Sequence, residues 1–210
     1  MVYNHYIIDI ILKIKGNKKM NITFIRHGQT NANKNKIICG HSDIDLNETG
    51  IMQIKQVRDF LFNHHLTYDL IGSSSLKRAQ QSLKIINEKL NIKTIIIDDH
   101  FIERDFGSFD GLDIDTYAPI CMQEGFKQSG FEDTDTLIKR VKKGLKYLYT
   151  KYPKANILFI THNHVIRSLT IISGDAKNFN ITENNLIKNS AIYQFSYTNK
   201  LKLLSIKELN

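Results

Sequence analysis

At 210 residues the chain suits one domain of ordinary to large size, and 41% hydrophobic with 24% charged residues allows a packed core and excludes a disordered chain. The net charge of +8 comes from lysines scattered along the chain without an arginine-rich block, which reads as a solvated basic surface and not as a nucleic-acid-binding face. Two cysteines, Cys39 and Cys121, are too few for a disulfide framework, and no apolar run approaches the ~20 residues of a membrane helix. The expected setting is the reducing cytoplasm, with neither a membrane nor nucleic acid as partner.

The chain opens on a segment that fits no single element. Ile7-Ile8-Asp9-Ile10-Ile11-Leu12 precedes Lys13, Lys15, Lys18 and Lys19, the reverse of the order in a secretory signal, and its apolar spacing suits a strand and a helix equally. Met20 stands directly before the first convincing strand, so residues 1–20 are expected to be an N-terminal extension and residues 21–210 one domain. Asn21-Ile22-Thr23-Phe24-Ile25 reads as that strand. Arg26-His27-Gly28-Gln29 and Thr30-Asn31-Ala32-Asn33 follow, and a polar loop runs on to Leu46. Asn47 and Thr49 are candidate caps for a helix over 50–64, with Ile51, Ile54, Val57, Phe60 and Leu61 on one face. Residues 68–73 read as a short buried strand, 76–90 as an amphipathic helix and 94–98 as a strand. Residues 100–133 hold Gly107, Gly111, Pro119, Gly125 and Gly130 and are expected to be irregular; such a stretch inside a compact domain is usually functional. A helix over 134–152, a continuously apolar and hence central strand over 156–161, a helix over 165–173 closed by Gly174, and a terminal hairpin over 191–197 and 201–206 complete the pattern. Strand and helix alternate, which predicts an α/β fold with a mostly parallel sheet.

Three strand ends carry polar clusters. The first is Arg26-His27-Gly28, the second Ser73-Ser74-Ser75-Leu76-Lys77-Arg78, and the third Thr161-His162-Asn163-His164. In open α/β sheets the carboxyl edge is where ligands bind. Arginine offers a planar fork matched to phosphate oxygens, histidine can act as a nucleophile near neutral pH, and helix starts offer N–H groups to an anion. Two arginines, two histidines and two helix starts at one sheet edge describe a pocket for a phosphoryl group.

These residues resemble a known family, the histidine phosphatase superfamily of phosphoglycerate mutase-like enzymes. Arg-His-Gly-Gln-Thr-x-x-Asn at 26–33 is similar to the signature around the family's nucleophilic histidine. Residues 73–82 resemble Ser-x-Pro-Leu-x-Arg-Ala-x-Gln-Thr, and residues 102–111 resemble the acidic segment Glu-x-x-Phe-Gly-x-Trp-Glu-Gly. Thr161-His162 with Val165-Ile166-Arg167 is similar to the stretch around the second histidine, and Asp43-Ile44-Asp45-Leu46 before Gly50 matches a further recurrent pattern. The resemblance implies a three-layer α/β/α sandwich and a phosphomonoester hydrolase of the histidine acid phosphatase type, acting on a small phosphorylated metabolite. It implies His27 as nucleophile, Glu103 as general acid and base, and His162 as a further catalytic group. Arg26, Arg78, Asn33 and Asn163 would hold the phosphate. No metal and no cofactor are expected, and a homodimer is allowed.

The departures are specific. Ser75 stands where the family usually has Pro, Ser82 where it has Thr, and Phe109-Asp110 where it has Trp-Glu. Asn163-His164 replace the usual Gly after the second histidine. Asn163 would narrow the pocket there, while Asn tolerates φ > 0 better than most residues; His164 could reach the substrate, with a place at the surface the favoured reading. The glycolytic mutases of the family carry a longer insertion after the acidic segment, with a lysine and paired arginines. Here Gly111-Leu112-Asp113-Ile114-Asp115 follows, Ile114 falls where that lysine would, and Lys127 is the only basic residue from Asp105 to Glu132. That favours a phosphatase over a mutase. The alternative from another class is a phosphate-binding module without catalysis on the same fold, against which stands the presence of Arg26, His27, Arg78, Glu103 and His162. Glu48, Arg58, Lys77, Arg104 and Lys127 are the charged residues that could line the outer pocket or lie in solvent.

Overall fold

The computed structural model describes residues 19–123, 125–179, 187–198 and 200–209. Strand β1 (Met20–Arg26) leads into a one-turn helix α1 (Asn31–Lys34) and then α2 (Glu48–Asn63). Next come β2 (Leu70–Ser73), α3 (Lys77–Leu90), β3 (Ile95–Ile97), α4 (Ile114–Cys121) and α5 (Thr134–Lys151). The chain closes with β4 (Asn156–Thr161), α6 (Asn163–Ser173), β5 (Ile192–Tyr197) and β6 (Leu201–Lys207). The ambiguous segment over residues 1–18 and Asn199 of the expected hairpin turn lie outside the described residues. Met20 is the first residue of β1 and is fully buried.

One sheet runs β3-β2-β4-β1-β5-β6. The first four strands are mutually parallel, β5 is antiparallel to β1, and β6 to β5. Side chains alternate across a strand, so each central strand feeds both faces. Ile22, Phe24, Ile157 and Phe159 point to the face covered by α5 and α6, through Leu137, Val141, Leu145, Val165 and Leu169. Ile25, Leu158 and Ile160 point to the face covered by α2 and α3, through Ile54, Val57, Leu61, Ala79, Leu83 and Ile86. The result is the expected α/β/α sandwich with a mostly parallel sheet. Burial on both faces explains why β4 reads as an unbroken apolar run. No helix among the described residues is long and apolar enough to cross a membrane.

The parallel order sets β2, β4 and β1 side by side, so their carboxyl ends share one edge. His27 N–H donates to the Thr161 carbonyl at 3.0 Å and continues the β1–β4 ladder past its last strand residue. The turn after β1 is then pressed onto the start of α2. Asn47 caps that helix by accepting from Gly50 N–H at 2.8 Å, while its own N–H and side-chain amide donate to Gln29 carbonyl and Gln29 Oε1, each at 3.0 Å. This approach leaves no room for a Cβ: one on Gly28 would lie 2.4 Å from the Gly50 carbonyl oxygen, and one on Gly50 would lie 2.1 Å from the Gln29 carbonyl oxygen.

The stretch expected to be irregular contains more structure than its glycines suggest. α4 forms within it although Pro119 lies inside the helix. Asp113 caps α4 by accepting from Thr116 N–H at 2.8 Å and Thr116 Oγ1 at 2.7 Å, and the helix is eight residues long, so the proline removes one bond from an element already held at its start. A small apolar cluster of Ile38, Phe106, Phe109 and Cys121, with Leu112, Ile114, Met122 and Phe131 around it, folds this stretch over the carboxyl edge of the sheet. Cys39 and Cys121 are both free thiols.

Gly50→Ala is expected to destabilise the fold by about 1–3 kcal/mol, the usual cost of forcing an atom into a filled space, and to lower turnover because the displaced backbone carries His27 and Gly28. A urea midpoint equal to that of the parent chain would contradict the account of this contact.

Candidate active site

The end of β1 delivers Arg26 and His27. His27 is 3% exposed, and its Nδ1 lies 2.7 Å from the Gly28 carbonyl oxygen. A carbonyl only accepts, so Nδ1 carries the proton and Nε2 presents a lone pair. That lone pair accepts from Arg78 Nε at 3.3 Å. Burial first, and then the charges of Arg78, His162 and Arg26, hold the His27 pKa well below its ordinary value, so the ring is neutral at pH 7. Arg78, in the first turn of α3, donates Nη1 to the Ser42 carbonyl at 2.9 Å and Nη2 to the Gly40 carbonyl at 2.7 Å. Arg26 donates Nη1 to the Ile187 carbonyl, and its buried Nε has no partner among the described residues. Burial lowers the Arg26 pKa to about 10, which still leaves it a cation.

Glu103 reaches the same place from the loop that folds over the sheet edge. Its Oε1 accepts from Arg104 N–H at 2.8 Å and from His164 N–H at 3.1 Å. Burial alone would raise this carboxyl, but His164 and His162 together with the Arg104 N–H outweigh it and hold it well below the usual carboxylate range. Asn33 accepts at Oδ1 from Thr30 N–H at 3.2 Å and from Asn189 Nδ2 at 3.0 Å, which leaves its NH2 as the free end. Asn163 accepts at Oδ1 from Arg167 Nε at 3.4 Å and is likewise turned NH2-outward.

Arg26, His27, Asn33, Arg78, Glu103 and Asn163 thus meet on the wall of one cavity of about 100 Å³. His162 is fully buried, with its ring 5.1 Å from that of His27 and its Nε2 2.6 Å from Ser74 Oγ, but it is not on that wall. The outer wall is apolar, built by Ile37, Ile38, Phe106, Ile114, Ala118 and Met122. None of the charged residues Glu48, Arg58, Lys77, Arg104 and Lys127 lines it. Arg58 instead pairs with Asp59 and Glu88, and Arg104 is buried under Phe179 with its Nη2 donating to Thr134 Oγ1 at 3.2 Å.

Three expectations are corrected. His164 is not at the surface: it is 8% exposed, because the loop over the sheet edge covers the start of α6 and wedges the ring between Phe106 and Phe179. Asn163 is the first helical residue of α6 and has no positive φ, so the tolerance of asparagine for that region is not used. The helix starts do not both await an anion. Lys77 N–H at the start of α3 donates to Asp43 Oδ1 at 2.7 Å, and His164 N–H at the start of α6 is given to Glu103.

Sequence reasoning missed Asn189, whose Nδ2 donates both to the His27 carbonyl at 3.1 Å and to Asn33 Oδ1, and it missed the partnership of Ser82 Oγ with Gly28 N–H at 3.3 Å. The only sequence signal for Asn189 is a polar pair, Asn189-Ser190, set directly before an apolar strand.

The buried histidines link site to stability. His27, His162 and His164 all have folded pKa values lowered chiefly by burial, the last to about 4 from 6.5. Below pH 6.5 the unfolded chain takes up protons that the folded chain refuses, so unfolding free energy falls as pH falls. For His164 alone the loss between pH 6.5 and 4 amounts to about 3 kcal/mol. The urea midpoint is expected to be lower at pH 5 than at pH 7; equal midpoints would contradict neutral burial of these rings.

The chain matches the histidine phosphatase superfamily (branch 1) over residues 22–207. It is 31% identical over 154 residues to the "Uncharacterized phosphatase PhoE" of Bacillus subtilis, covering 73% of this chain and 77% of that protein. It is 31% identical over 159 residues to "Phosphoglycerate mutase-like protein 4" of Arabidopsis thaliana, covering 70% of this chain and 68% of that one. Among solved structures, "Mycobacterial hydrolase 1" superposes with a TM-score of 0.76 at 21% identity, over 89% of this chain and 97% of that one, and so shares the fold. A match across nearly all of the described sheet, joined to relatives at this identity, means that the chain belongs to the histidine phosphatase superfamily.

Proposed function

We propose that this chain is a metal-independent phosphomonoesterase that works through a phosphohistidine on His27. One observation carries the reading: the Nε2 lone pair of His27 is fixed by the Nδ1–Gly28 bond and presented beside Arg78 in a cavity that also holds Glu103. A phosphoryl group seated against Arg26, Arg78, Asn33 and Asn163 meets that lone pair. The N–P bond forms as the bond to the leaving oxygen breaks, and Glu103 gives that oxygen its proton. Glu103 is held ionised by its own surroundings, but a phosphate dianion beside it opposes ionisation, so substrate binding itself loads the carboxyl with a proton. Water then attacks phosphorus, its proton passes to Glu103, and the N–P electron pair returns to Nε2. The two arginines hold the charge of the transition state, and His162 supports the site from behind His27. No three His, Cys, Asp or Glu side chains converge into a metal-binding group among the described residues.

A mutase must keep water from the phosphohistidine and bind a second anionic group. Among the described residues the only arginines or lysines on the cavity wall are Arg26 and Arg78, both at the phosphoryl end, while Ile114 and Met122 occupy the outer wall. A carboxylate placed there would lose its water without gaining a partner. This supports hydrolysis over mutase activity, and a leaving group without a second charge. The domain is proposed to start at β1, with the residues before it taking no part in the chemistry.

His27→Ala is expected to lower hydrolysis of an aryl phosphate by roughly four orders of magnitude or more, and an excess of EDTA to leave the parent rate unchanged. Substantial turnover by the variant would remove the nucleophile assignment, and loss of activity in EDTA would remove the metal-free one. Interconversion of 3- and 2-phosphoglycerate is expected to be absent even when primed with 2,3-bisphosphoglycerate; efficient interconversion would establish the mutase reading instead.

A further inference from the structure

His164 has no part in the mechanism so far, yet it is built into the cavity wall. Its side chain is 10% exposed, and neither ring nitrogen has a hydrogen-bond partner among the described residues. A buried imidazole with both nitrogens unpartnered is costly unless the ring is used. Glu103 lies beside it: Nδ1 is 3.5 Å from Oε1, and the His164 backbone N–H donates to that same oxygen at 3.1 Å. The ring is held in place by Phe179, stacked at 6.0 Å and 10°, and by the edge contact of Phe106 at 5.2 Å.

We propose that His164 is the proton partner of Glu103, a positioning residue that stores the proton Glu103 delivers to the leaving oxygen and takes it back during hydrolysis. This rests on the reading of Glu103 as general acid. In the first half-reaction the Glu103 O–H proton goes to the leaving oxygen and the His164 Nδ1–H proton passes to Glu103, which leaves the imidazole neutral. In the second, the attacking water gives its proton to Glu103 and the proton there returns to His164.

The charged and titratable groups that face the pair are Arg26 from β1, Arg104 beside Glu103, and His162 and Arg167 at α6, with Cys39 and the His41 ring nearby. Arg140 of α5 reaches the backbone carbonyl of Glu103 at 3.2 Å, and its charge is paired with Glu132 at 2.7 Å. Burial lowers the His164 pKa to about 4 and Glu103 opposes this. A phosphoryl dianion in the cavity adds negative charge on the side of Glu103 and turns the balance toward imidazolium.

The test compares p-nitrophenyl phosphate, whose leaving group departs without an acid, with a primary alkyl phosphate, which needs one. His164→Gln is expected to lower kcat on the alkyl ester at least about tenfold more than on the aryl ester, and to move the pH profile for the alkyl ester. An equal loss on both, with an unmoved profile, would mean that His164 only packs. Glu103→Gln, run beside it, separates the two ideas: leaving-group dependence in Glu103→Gln alone overturns the His164 proposal, whereas its absence in both variants overturns the acid assignment itself. A measurement on the unaltered chain covers a variant that fails to fold. With orthovanadate bound at pH 7, nitrogen-15 imidazole spectra are expected to show His164 as imidazolium, and a neutral ring would contradict the proposal.

Discussion

The hydrogen bond from His27 Nδ1 to the Gly28 carbonyl, 2.7 Å long, fixes which nitrogen of this ring can do chemistry. It sets the tautomer and turns Nε2 into the cavity. The bond exists because the backbone after β1 bends back under the ring, and that bend is held by contacts of backbone with backbone. Gly28 and Gly50 approach so closely that neither position accepts a Cβ, and Ser82 Oγ takes the Gly28 N–H. The ring is therefore placed by the packing of α2 and α3 against the sheet. Catalytic groups supported in this way lose little by reorganising during reaction.

Around that ring the charges are arranged for an anion. Arg78 rests on the carbonyls of Gly40 and Ser42, and Arg26 on that of Ile187. Carbonyls hold a guanidinium in position without neutralising it. Glu103, the one carboxylate on the cavity wall among the described residues, is tied to the backbone N–H groups of Arg104 and His164 instead of to either arginine. Positive charge is thus left uncompensated where a phosphoryl group would sit, while the carboxylate proposed to handle the proton stays apart from it. The apolar outer wall then limits what else the substrate can carry.

Much of this was legible in the sequence, and for a physical reason. A strand that ends in Arg26-His27-Gly28, another that ends in Thr161-His162, and a helix that begins at Lys77-Arg78 encode the site locally, because parallel strands place their carboxyl ends together. The mostly parallel sheet followed from the alternation of strand and helix, and the three-layer sandwich from the resemblance to the family. What could not be read depends on the stretch that folds over the sheet edge. That fold turns His164 inward against Phe106, forms α4 around Pro119, and makes an outer wall from residues as distant as Ile37 and Met122. Asn189 meets Asn33 across a separation of 156 residues, and no periodicity announces such a bond. Two helix starts that looked open to phosphate hold Asp43 and Glu103, which pattern alone does not distinguish.

The central claim is covalent, and it is tested most directly by trapping. Rapid quenching of the enzyme with a phosphorus-32-labelled aryl phosphate, followed by peptide mapping, is expected to find label on His27 that is lost in acid and kept in alkali. Rapid release of labelled phosphate with no labelled protein at any quench time, or label on another residue, would contradict the account.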